Sequence, residues 1–199
     1  MGGSPVIVGL VGKAGAGKDT VGRYMRPMGW RRVAFGDLLK DALYALDPTV
    51  SLGGAQVSTR ALVDAIGWDQ AKVHPEVRGL LQRLGTEAGR GVLGESVWVD
   101  ALMRQIHDRE PTVVTDVRFP NEVQAIRGRG GVIVLVRRVG LEAGEGWRAH
   151  ASEALADAVD LAPDMTVLNN PDVMSRQEFG IAAARRVGKF ADERAAAGA

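Results

Sequence analysis

The stretch VIVGLVGKAGAGKDT, residues 6–20, decides the fold of this 199-residue chain. It opens with a dense apolar run, which predicts a buried strand of a parallel sheet. Gly12, Gly17 and Lys18 then have the spacing of the P-loop, G-x-x-x-x-G-K. In that motif, backbone amides and a helix N-terminus hold phosphate oxygens, while the lysine reaches the β- and γ-phosphates. The stretch therefore predicts a strand, a phosphate-binding loop and a helix, in that order.

The loop has two alternative interpretations. One is a plain glycine-rich turn with a solvated Lys18, which the strand-to-helix context disfavours. The other is a dinucleotide-binding loop, G-x-G-x-x-G, but Ala14 occupies its second glycine position and that fold has no use for Lys18. On the P-loop interpretation, the residues predicted to hold the phosphates are Gly12, Lys13, Ala14, Gly15, Ala16, Gly17, Lys18, Asp19 and Thr20.

One position departs from the usual P-loop pattern. Asp19 stands where a Ser or Thr normally offers its hydroxyl to Mg²⁺, and Thr20 follows it. Either Thr20 takes that role from one position further along, or the metal is held mostly through water, as Mg²⁺ often is.

Composition limits the classes of function. Lys plus Arg (25) nearly cancels Asp plus Glu (24), so no overall field favours nucleic acid or an anionic membrane. The absence of cysteine excludes disulfides and thiolate metal sites. No apolar run approaches the ~20 residues of a membrane span, and residues 1–5 lack the features of a signal peptide. We expect a soluble, cytoplasmic protein whose residues 1–199 form one domain, without nucleic-acid or membrane binding.

Five short apolar runs alternate with helical patterns, which predicts a three-layer α/β fold. The P-loop then lies at the carboxyl edge of a five-stranded parallel sheet with helices on both faces. Besides the run before the loop, the predicted strands cover residues 32–35, 112–116, 132–136 and 165–168. Predicted helices cover residues 20–28, 38–46, 59–66, 78–90, 95–108, 121–129 and 173–190. Residues 48–58 are predicted to be a loop, and the tail from residue 191 is predicted to fray.

Charged side chains follow several of these strands. Asp116 ends the third strand, where P-loop proteins commonly carry a carboxylate that orders Mg²⁺ or its waters; the alternative is a cap for the next turn. Phosphoryl transfer gathers negative charge, so an enzyme that performs it needs converging cations. The candidates that follow strands are Lys40, Arg118, Arg137 and Arg138.

The polar, glycine-bearing segment of roughly 138–152 is predicted to be a lid-like loop. Trp147 could stack on a base, and His150 and Glu153 lie close to it in sequence. Trp98 could do the same, or could pack in the core. No nucleophile with its base is visible, and the three histidines lack metal-ligand spacing. Phosphoryl transfer needs no covalent intermediate, because it relies on positioning and charge neutralisation.

Eight stretches in chain order resemble the deoxynucleoside monophosphate kinases encoded by bacteriophages. They are GKDT, AFGDLLK, LLQRLGTEAGR, SVWVDAL, TDVRFPNE, RGGVIVLVRR, HASEAL and the Asn169-Asn170 turn. The likeness covers nearly the whole chain, and TDVRFPNE with HASE is its most specific part. It implies a nucleoside-monophosphate-kinase-like P-loop fold and MgATP-dependent phosphorylation of deoxynucleoside monophosphates to diphosphates, for phage DNA precursor synthesis in the host cytoplasm. Asp19 agrees with that family.

We accordingly assign roles to the candidates. Lys18, Arg118, Arg137 and Arg138 are predicted to be catalytic, the last two by bridging both nucleotides as the lid closes. Thr20 and Asp116 are predicted to lie near Mg²⁺, and Asn169 and Asn170 to line the adenine pocket. The predicted acceptor residues lie partly in a monophosphate-binding region of roughly 37–100, and they are Asp37, Lys40, Arg90, Asp116, Arg118, Trp147, His150 and Glu153.

Two other functions stay open on the sequence. One is a kinase of another small metabolite, such as dephospho-coenzyme A, and the other is a nucleotide-switched binding module with slow hydrolysis. Residues 48–75 match no pattern, so the accepted base and the discrimination against ribose stay unassigned. The number of subunits is equally open, a homodimer being one alternative.

Overall fold

The computed structural model describes residues 6–107, 110–141 and 162–197. Its strands are β1 (Ile7–Val11), β2 (Arg31–Val33), β3 (Thr49–Leu52), β4 (Ala55–Ser58), β5 (Thr112–Val114), β6 (Val132–Arg138) and β7 (Met165–Asn169). Its α-helices are α1 (Lys18–Met25), α2 (Phe35–Leu46), α3 (Thr59–Ala71), α4 (Pro75–Gln82), α5 (Val97–Gln105), α6 (Pro120–Gly128) and α7 (Arg176–Ala197). A 3₁₀-helix, Arg26–Met28, follows α1, and a π-helix, Arg83–Leu93, follows α4.

Five strands form a parallel sheet in the order β2-β5-β1-β6-β7. The strand before the P-loop is central, with Ile7 opposite Thr112 on β5 and Val8 opposite Val132 on β6. All five residues of β1 are buried, as expected for a strand with neighbours on both edges and both faces. The predicted five-stranded parallel sheet is confirmed.

Helices cover both faces of this sheet. On one face, Val8 and Leu10 pack in a cluster with α1 and α7, to which α7 contributes the fully buried Phe179. On the other face α6 approaches so closely that a Cβ on Gly9 would lie 2.7 Å from Ile126 Cδ1. The predicted three-layer α/β fold, with helices on both faces of the sheet and the P-loop after its central strand, is confirmed.

The chain divides into two compact units. The first consists of Met1–Ala34 and Met103–Ala199 and contains the parallel sheet. The second, Phe35–Leu102, is one continuous stretch with its own apolar cluster, centred on Leu43, Val50 and Val77. The predicted monophosphate-binding region, 37–100, falls within this second unit. Its function and the single domain predicted for residues 1–199 stay predictions.

The predicted loop 48–58 is wrong, because it forms the antiparallel hairpin β3-β4. Gly53 and Gly54 make its two-residue turn with φ of 57° and 90°, angles that both central residues of a type I′ turn require. Asp47 follows the last residue of α2, and its carboxylate accepts from the backbone N–H of Arg60 at 2.8 Å. That hydrogen bond lowers the pKa of Asp47 and fixes the chain on either side of the hairpin.

Other boundaries shift in the second unit. The helix predicted for residues 59–66 continues to Ala71 through a non-helical Gly67. The helix predicted for residues 78–90 is an α-helix that becomes the π-helix at Arg83. In the first unit, the tail does not fray at residue 191, since α7 continues to Ala197 and Ala191 is buried. None of the described helices is long and apolar enough to span a bilayer.

Candidate functional site

The P-loop connects β1 to α1 and is held against β6. Gly12 lies where the loop begins, and a Cβ there would lie 2.3 Å from the backbone oxygen of Val136, so only glycine fits without displacing β6. Gly17 is the N-cap of α1, and no side chain caps this helix end. The first N–H groups of α1 therefore lack a side-chain acceptor, which is the arrangement that favours an anion at a helix N-terminus.

Lys18 is the first residue of α1, and its side chain turns back over the loop. Its Nζ donates to the backbone oxygen of Gly12 and, at 3.0 Å, to that of Lys13. The ammonium group is thereby held at the loop before any phosphate arrives. A phosphate bound by the loop would meet a positive charge that is already positioned.

A cavity of about 320 Å³ opens beside the loop, close to the lower end of the range for small-molecule sites. Three cationic side chains line it, those of Lys18, Arg138 and Arg176. Asp19 is the single carboxylate among the described lining residues. Asp19 forms an ion pair with Arg32, with 3.2 Å between Oδ1 and Nη2, and the side chain of Asp19 is 71% exposed. The cavity therefore suits an anionic ligand. Its lining residues are Gly15, Gly17, Lys18, Asp19, Thr20, Arg138, Asn169, Pro171, Met174 and Arg176.

Asn169 ends β7 and lines this cavity, and Asn170 follows it in the chain. The buried side chain of Asn169 donates from Nδ2 to the backbone oxygen of Ala16 at 3.0 Å, which ties β7 to the P-loop. Asn170 accepts from the N–H of Asp172 through Oδ1 at 3.1 Å and so stabilises the next turn. Their predicted contact with adenine stays a prediction.

Arg137 and Arg138 end β6, and successive side chains of a strand leave on opposite faces of the sheet. Arg138 donates from Nη1 to the backbone oxygen of Gly15 at 3.2 Å and lines the larger cavity. Arg137 is absent from that lining. It borders a smaller cavity of about 80 Å³ together with Lys13 and Leu141. The bridging role predicted for both arginines stays a prediction, and only Arg138 contacts the P-loop in the hydrogen bonds described.

Sequence reasoning missed Arg176. Its Nε donates to Oγ1 of Thr20 at 3.0 Å, and its guanidinium lines the larger cavity. One local signal precedes it, since Ser175 and Glu178 have the spacing of a capping box, which places Arg176 in the first turn of α7. The pairing with Thr20 joins positions 156 residues apart, so no local pattern could have predicted it.

Among the described residues, few carboxylates that could hold Mg²⁺ lie near the loop. No group of three His, Asp or Glu side chains that could hold a metal exists within residues 6–107, 110–141 and 162–197. Asp116 follows β5, two residues beyond Val114, which pairs with Gly9 of β1, so it reaches the sheet edge where the P-loop begins. This position suits a metal held mainly by phosphates and water. Thr20 is only 4% exposed and already accepts from Arg176, and its predicted metal contact stays a prediction.

Arg118 is exposed just after β5, and Glu122 holds the backbone there. Glu122 is 2% exposed, and its Oε2 accepts from the N–H groups of Arg118 at 2.7 Å and Phe119 at 3.1 Å. These two hydrogen bonds to backbone N–H groups satisfy the buried carboxylate. They also fix the direction in which the backbone presents Arg118. The TDVRFPNE stretch thus combines an exposed guanidinium with the buried group that holds its backbone.

The remaining described candidates lie in the second unit. Lys40 Nζ pairs with Asp37 Oδ1 at 2.9 Å, one turn apart on α2. Arg90, on the π-helix, donates from Nη1 to the backbone oxygen of Glu95 at 3.1 Å. Trp98 donates from Nε1 to the oxygen of Gly85 at 3.0 Å and packs against Gly89, so its ring belongs to this unit's interior packing. The predicted acceptor roles of Asp37, Lys40 and Arg90 stay predictions.

Three candidates and most of the predicted lid lie outside the described residues. They are Trp147, His150 and Glu153, and the lid was predicted for roughly 138–152. Of that segment, residues 138–141 are described.

Sequence comparison identifies viral relatives, although no protein-family model matches the chain. A deoxynucleoside-5′-monophosphate kinase of Escherichia phage T5 is 44% identical over 52 residues, which are 25% of this chain and 21% of the phage protein. That match thus spans about a fifth of the phage protein's length. A protein of Acanthamoeba polyphaga mimivirus, described as a deoxynucleotide monophosphate kinase, is 26% identical over 191 residues, covering 84% of this chain and 90% of the mimivirus protein.

Solved structures give further similarities. A dephospho-CoA kinase from Campylobacter jejuni has a TM-score of 0.49 at 10% identity, covering 94% of this chain and 98% of the other. A shikimate kinase from Aquifex aeolicus has a TM-score of 0.47 at 12% identity, covering 98% and 100%. Both TM-scores lie below 0.5, so neither structure identifies a substrate. The chain is thus similar in sequence to two viral proteins described as nucleotide kinases, and its own sheet and loop form a three-layer α/β fold with a P-loop.

Proposed function

We propose that this protein transfers the γ-phosphoryl group of ATP to deoxynucleoside monophosphates, forming diphosphates for viral DNA synthesis. The observation that carries the proposal is the P-loop at the centre of the sheet, with Lys18 held at the loop beside a cation-lined cavity. The substrate class comes from the names of the phage and mimivirus relatives. A phage origin and action in the host cytoplasm belong to the same proposal.

The donor side would work through charge and position. The uncapped N-terminus of α1 and the loop amides would hold phosphate oxygens, and Lys18 would neutralise the charge that develops on the γ-phosphoryl group. Arg138 would add a second cation from β6. Mg²⁺, when bound with ATP, neutralises phosphate charge, and Asp116 is the carboxylate we assign to it or to its waters.

On the acceptor side, the proposal rests most on Arg118. Its guanidinium is exposed beside Asp116, and its backbone is held by Glu122. A planar guanidinium can donate two parallel hydrogen bonds to one phosphate, which both binds and orients the acceptor. Asp37, Lys40 and Arg90 of the second unit, together with Trp147, His150 and Glu153, complete the proposed acceptor set. The partners we infer are nucleotides only.

A coupled ADP-release assay tests the proposal. ATP and Mg²⁺ would be offered with dAMP, dGMP, dCMP or dTMP, with the matching ribonucleotides, with dephospho-coenzyme A, and with no acceptor. We expect release of ADP that depends on at least one deoxynucleoside monophosphate and is lost in Lys18→Ala. Turnover with dephospho-coenzyme A alone would reassign the protein to metabolite kinases. Equal slow release under every condition would make it a nucleotide-switched module.

A further inference from the structure

Arg176 and Thr20 form a hydrogen-bonded pair at the cavity beside the P-loop. Arg176 is the first residue of α7, and its Nε donates to Oγ1 of Thr20 in the first turn of α1 at 3.0 Å. The hydroxyl belongs to a residue that is 4% exposed, whereas the guanidinium reaches the cavity lining. Both residues border the space a ligand would occupy, and Thr20 is the more deeply buried of the two.

A capping box holds the backbone of Arg176. Ser175 Oγ accepts from the N–H of Glu178 at 3.2 Å, and Glu178 Oε2 accepts from the N–H of Ser175 at 2.8 Å. These two hydrogen bonds fix the first turn of α7, in which Arg176 lies. The guanidinium is therefore restrained twice, at its backbone by the capping box and at Nε by Thr20. Restraint before binding lowers the entropic cost of the contacts that a ligand makes.

The guanidinium has spare hydrogen-bonding capacity. Arginine carries five N–H donors, and within the described residues Arg176 uses one of them, toward Thr20. Lys18 and Arg138 line the same cavity, while Asp19 is paired with Arg32. The excess of positive charge selects an anion, and a planar guanidinium matches phosphate oxygens in geometry.

We propose that Arg176 donates to a phosphate of the donor nucleotide and that Thr20 is a positioning residue that holds it. Thr20 then acts through its hydroxyl acceptor and not as a ligand of Mg²⁺. The inference rests on the proposed function, because it takes the cavity to be the donor site. It assigns a role to a residue outside the G-x-x-x-x-G-K motif, on the opposite end of the chain.

Binding of ADP, adenosine and inorganic tripolyphosphate, measured calorimetrically with and without Mg²⁺, tests the assignment. Arg176→Ala should weaken ADP and tripolyphosphate by at least about 10-fold and leave the affinity for adenosine unchanged, because hydrogen bonds to charged groups are the strong ones. Arg186→Ala, an exposed arginine on the same helix, should match the wild type. Unchanged ADP affinity in Arg176→Ala, with wild-type binding intact, would overturn the inference alone.

Thr20 is tested by a double-mutant cycle. Thr20→Val keeps the shape of the side chain but removes the acceptor, and it should weaken ADP about 3–10-fold in the wild type and not at all in Arg176→Ala. Thr20→Ser should restore the affinity, which a purely structural role would not predict. A loss confined to Mg²⁺-containing buffer and equal in both backgrounds would make Thr20 a metal-side residue. A wild type that binds no ADP would instead contradict the proposed function.

Discussion

Lys18 gives the most direct test of the proposed phosphoryl transfer. Its ammonium lies against the loop oxygens of Gly12 and Lys13, so Lys18→Ala removes the positioned charge without removing any apolar packing of the sheet. We expect turnover to fall at least about 10²-fold, the usual loss for one positioned donor at a reacting group. Near wild-type turnover in the coupled assay would remove the P-loop from the mechanism. Lys189→Ala, an exposed lysine on α7, is the matched control.

Arg118 tests the acceptor side. Arg118→Lys keeps the charge but loses the two parallel hydrogen bonds of a guanidinium, so the KM of the acceptor should rise about 10-fold. ADP affinity should stay close to normal. The same pair of measurements on Arg23→Lys, exposed on α1, controls for a general effect of exposed arginines. If ADP affinity collapses while the acceptor KM is constant, Arg118 belongs to the donor side.

At the residue scale, sequence reasoning succeeded where spacing is local and failed where a partner is distant. G-x-x-x-x-G-K spans seven positions, and the structure describes the loop between β1 and α1 as expected. Arg176 meets Thr20 only because β7 ends beside the P-loop, a consequence of sheet order that neither residue's neighbours encode. Glu122 illustrates an intermediate case. Its hydrogen bonds to the N–H groups of Arg118 and Phe119 are local, but its burial depends on tertiary packing.

Moving to elements, β6 and the P-loop approach as closely as their backbones allow. In Gly12→Ala the new methyl group would start 2.3 Å from the backbone oxygen of Val136, and no flexible side chain can yield there. We expect a loss of about 1–3 kcal/mol in the free energy of unfolding, the usual cost of overpacking, together with weaker ADP binding. Gly128→Ala, where a Cβ meets nothing within 4 Å, should be neutral or slightly stabilising. Equal urea midpoints for the two variants would contradict this account.

The start of α7 should respond to acid. Hydrogen bonds from the N–H and hydroxyl of Ser175 lower the pKa of Glu178 below its ordinary value of 4.5. A carboxylate with a depressed pKa stabilises the fold above pH 4.5, and this contribution is lost as the pH falls through its folded pKa. The difference in unfolding free energy between the wild type and Glu178→Gln should therefore be largest near neutral pH and vanish in acid. Urea titrations from pH 7 to pH 3 measure this difference. A difference in unfolding free energy that stays constant over this range would refute the role of Glu178.

Elements were predicted unevenly for physical reasons. Short apolar runs identified the five strands of the parallel sheet, and they are clearest in β1 and β5, whose residues are all buried. The hairpin β3-β4 was missed because its strands are short and half-exposed, although Gly53-Gly54 between two Thr/Val/Ser-rich runs is a recognised hairpin signal. The π-helix could not be predicted, because apolar spacing does not distinguish i→i+5 from i→i+4 hydrogen bonding over so few turns.

For the whole molecule, connectivity predicts an order of folding. The second unit, Phe35–Leu102, interrupts the first, so β1 pairs with strands that lie on the far side of it in the sequence. Pairings of high sequence separation form late, whereas contacts within a short continuous stretch form early. In pulse-labelled hydrogen exchange during refolding, amides of α3 and α4 should gain protection before those of β1. Simultaneous protection would contradict this order.

The same interruption has a consequence for a chain still attached to the ribosome. The phosphate loop emerges before the second unit, yet both strands that flank β1 follow that entire unit. β1 has no neighbour of the finished sheet until Thr112–Val114 has left the exit tunnel, and its second neighbour follows only with Val132–Arg138. Of the five strands, β1 is separated in sequence by the largest distance from the last strand that pairs with it. Its apolar residues therefore stay unpaired longest during synthesis, and we expect a nascent-chain chaperone to bind there.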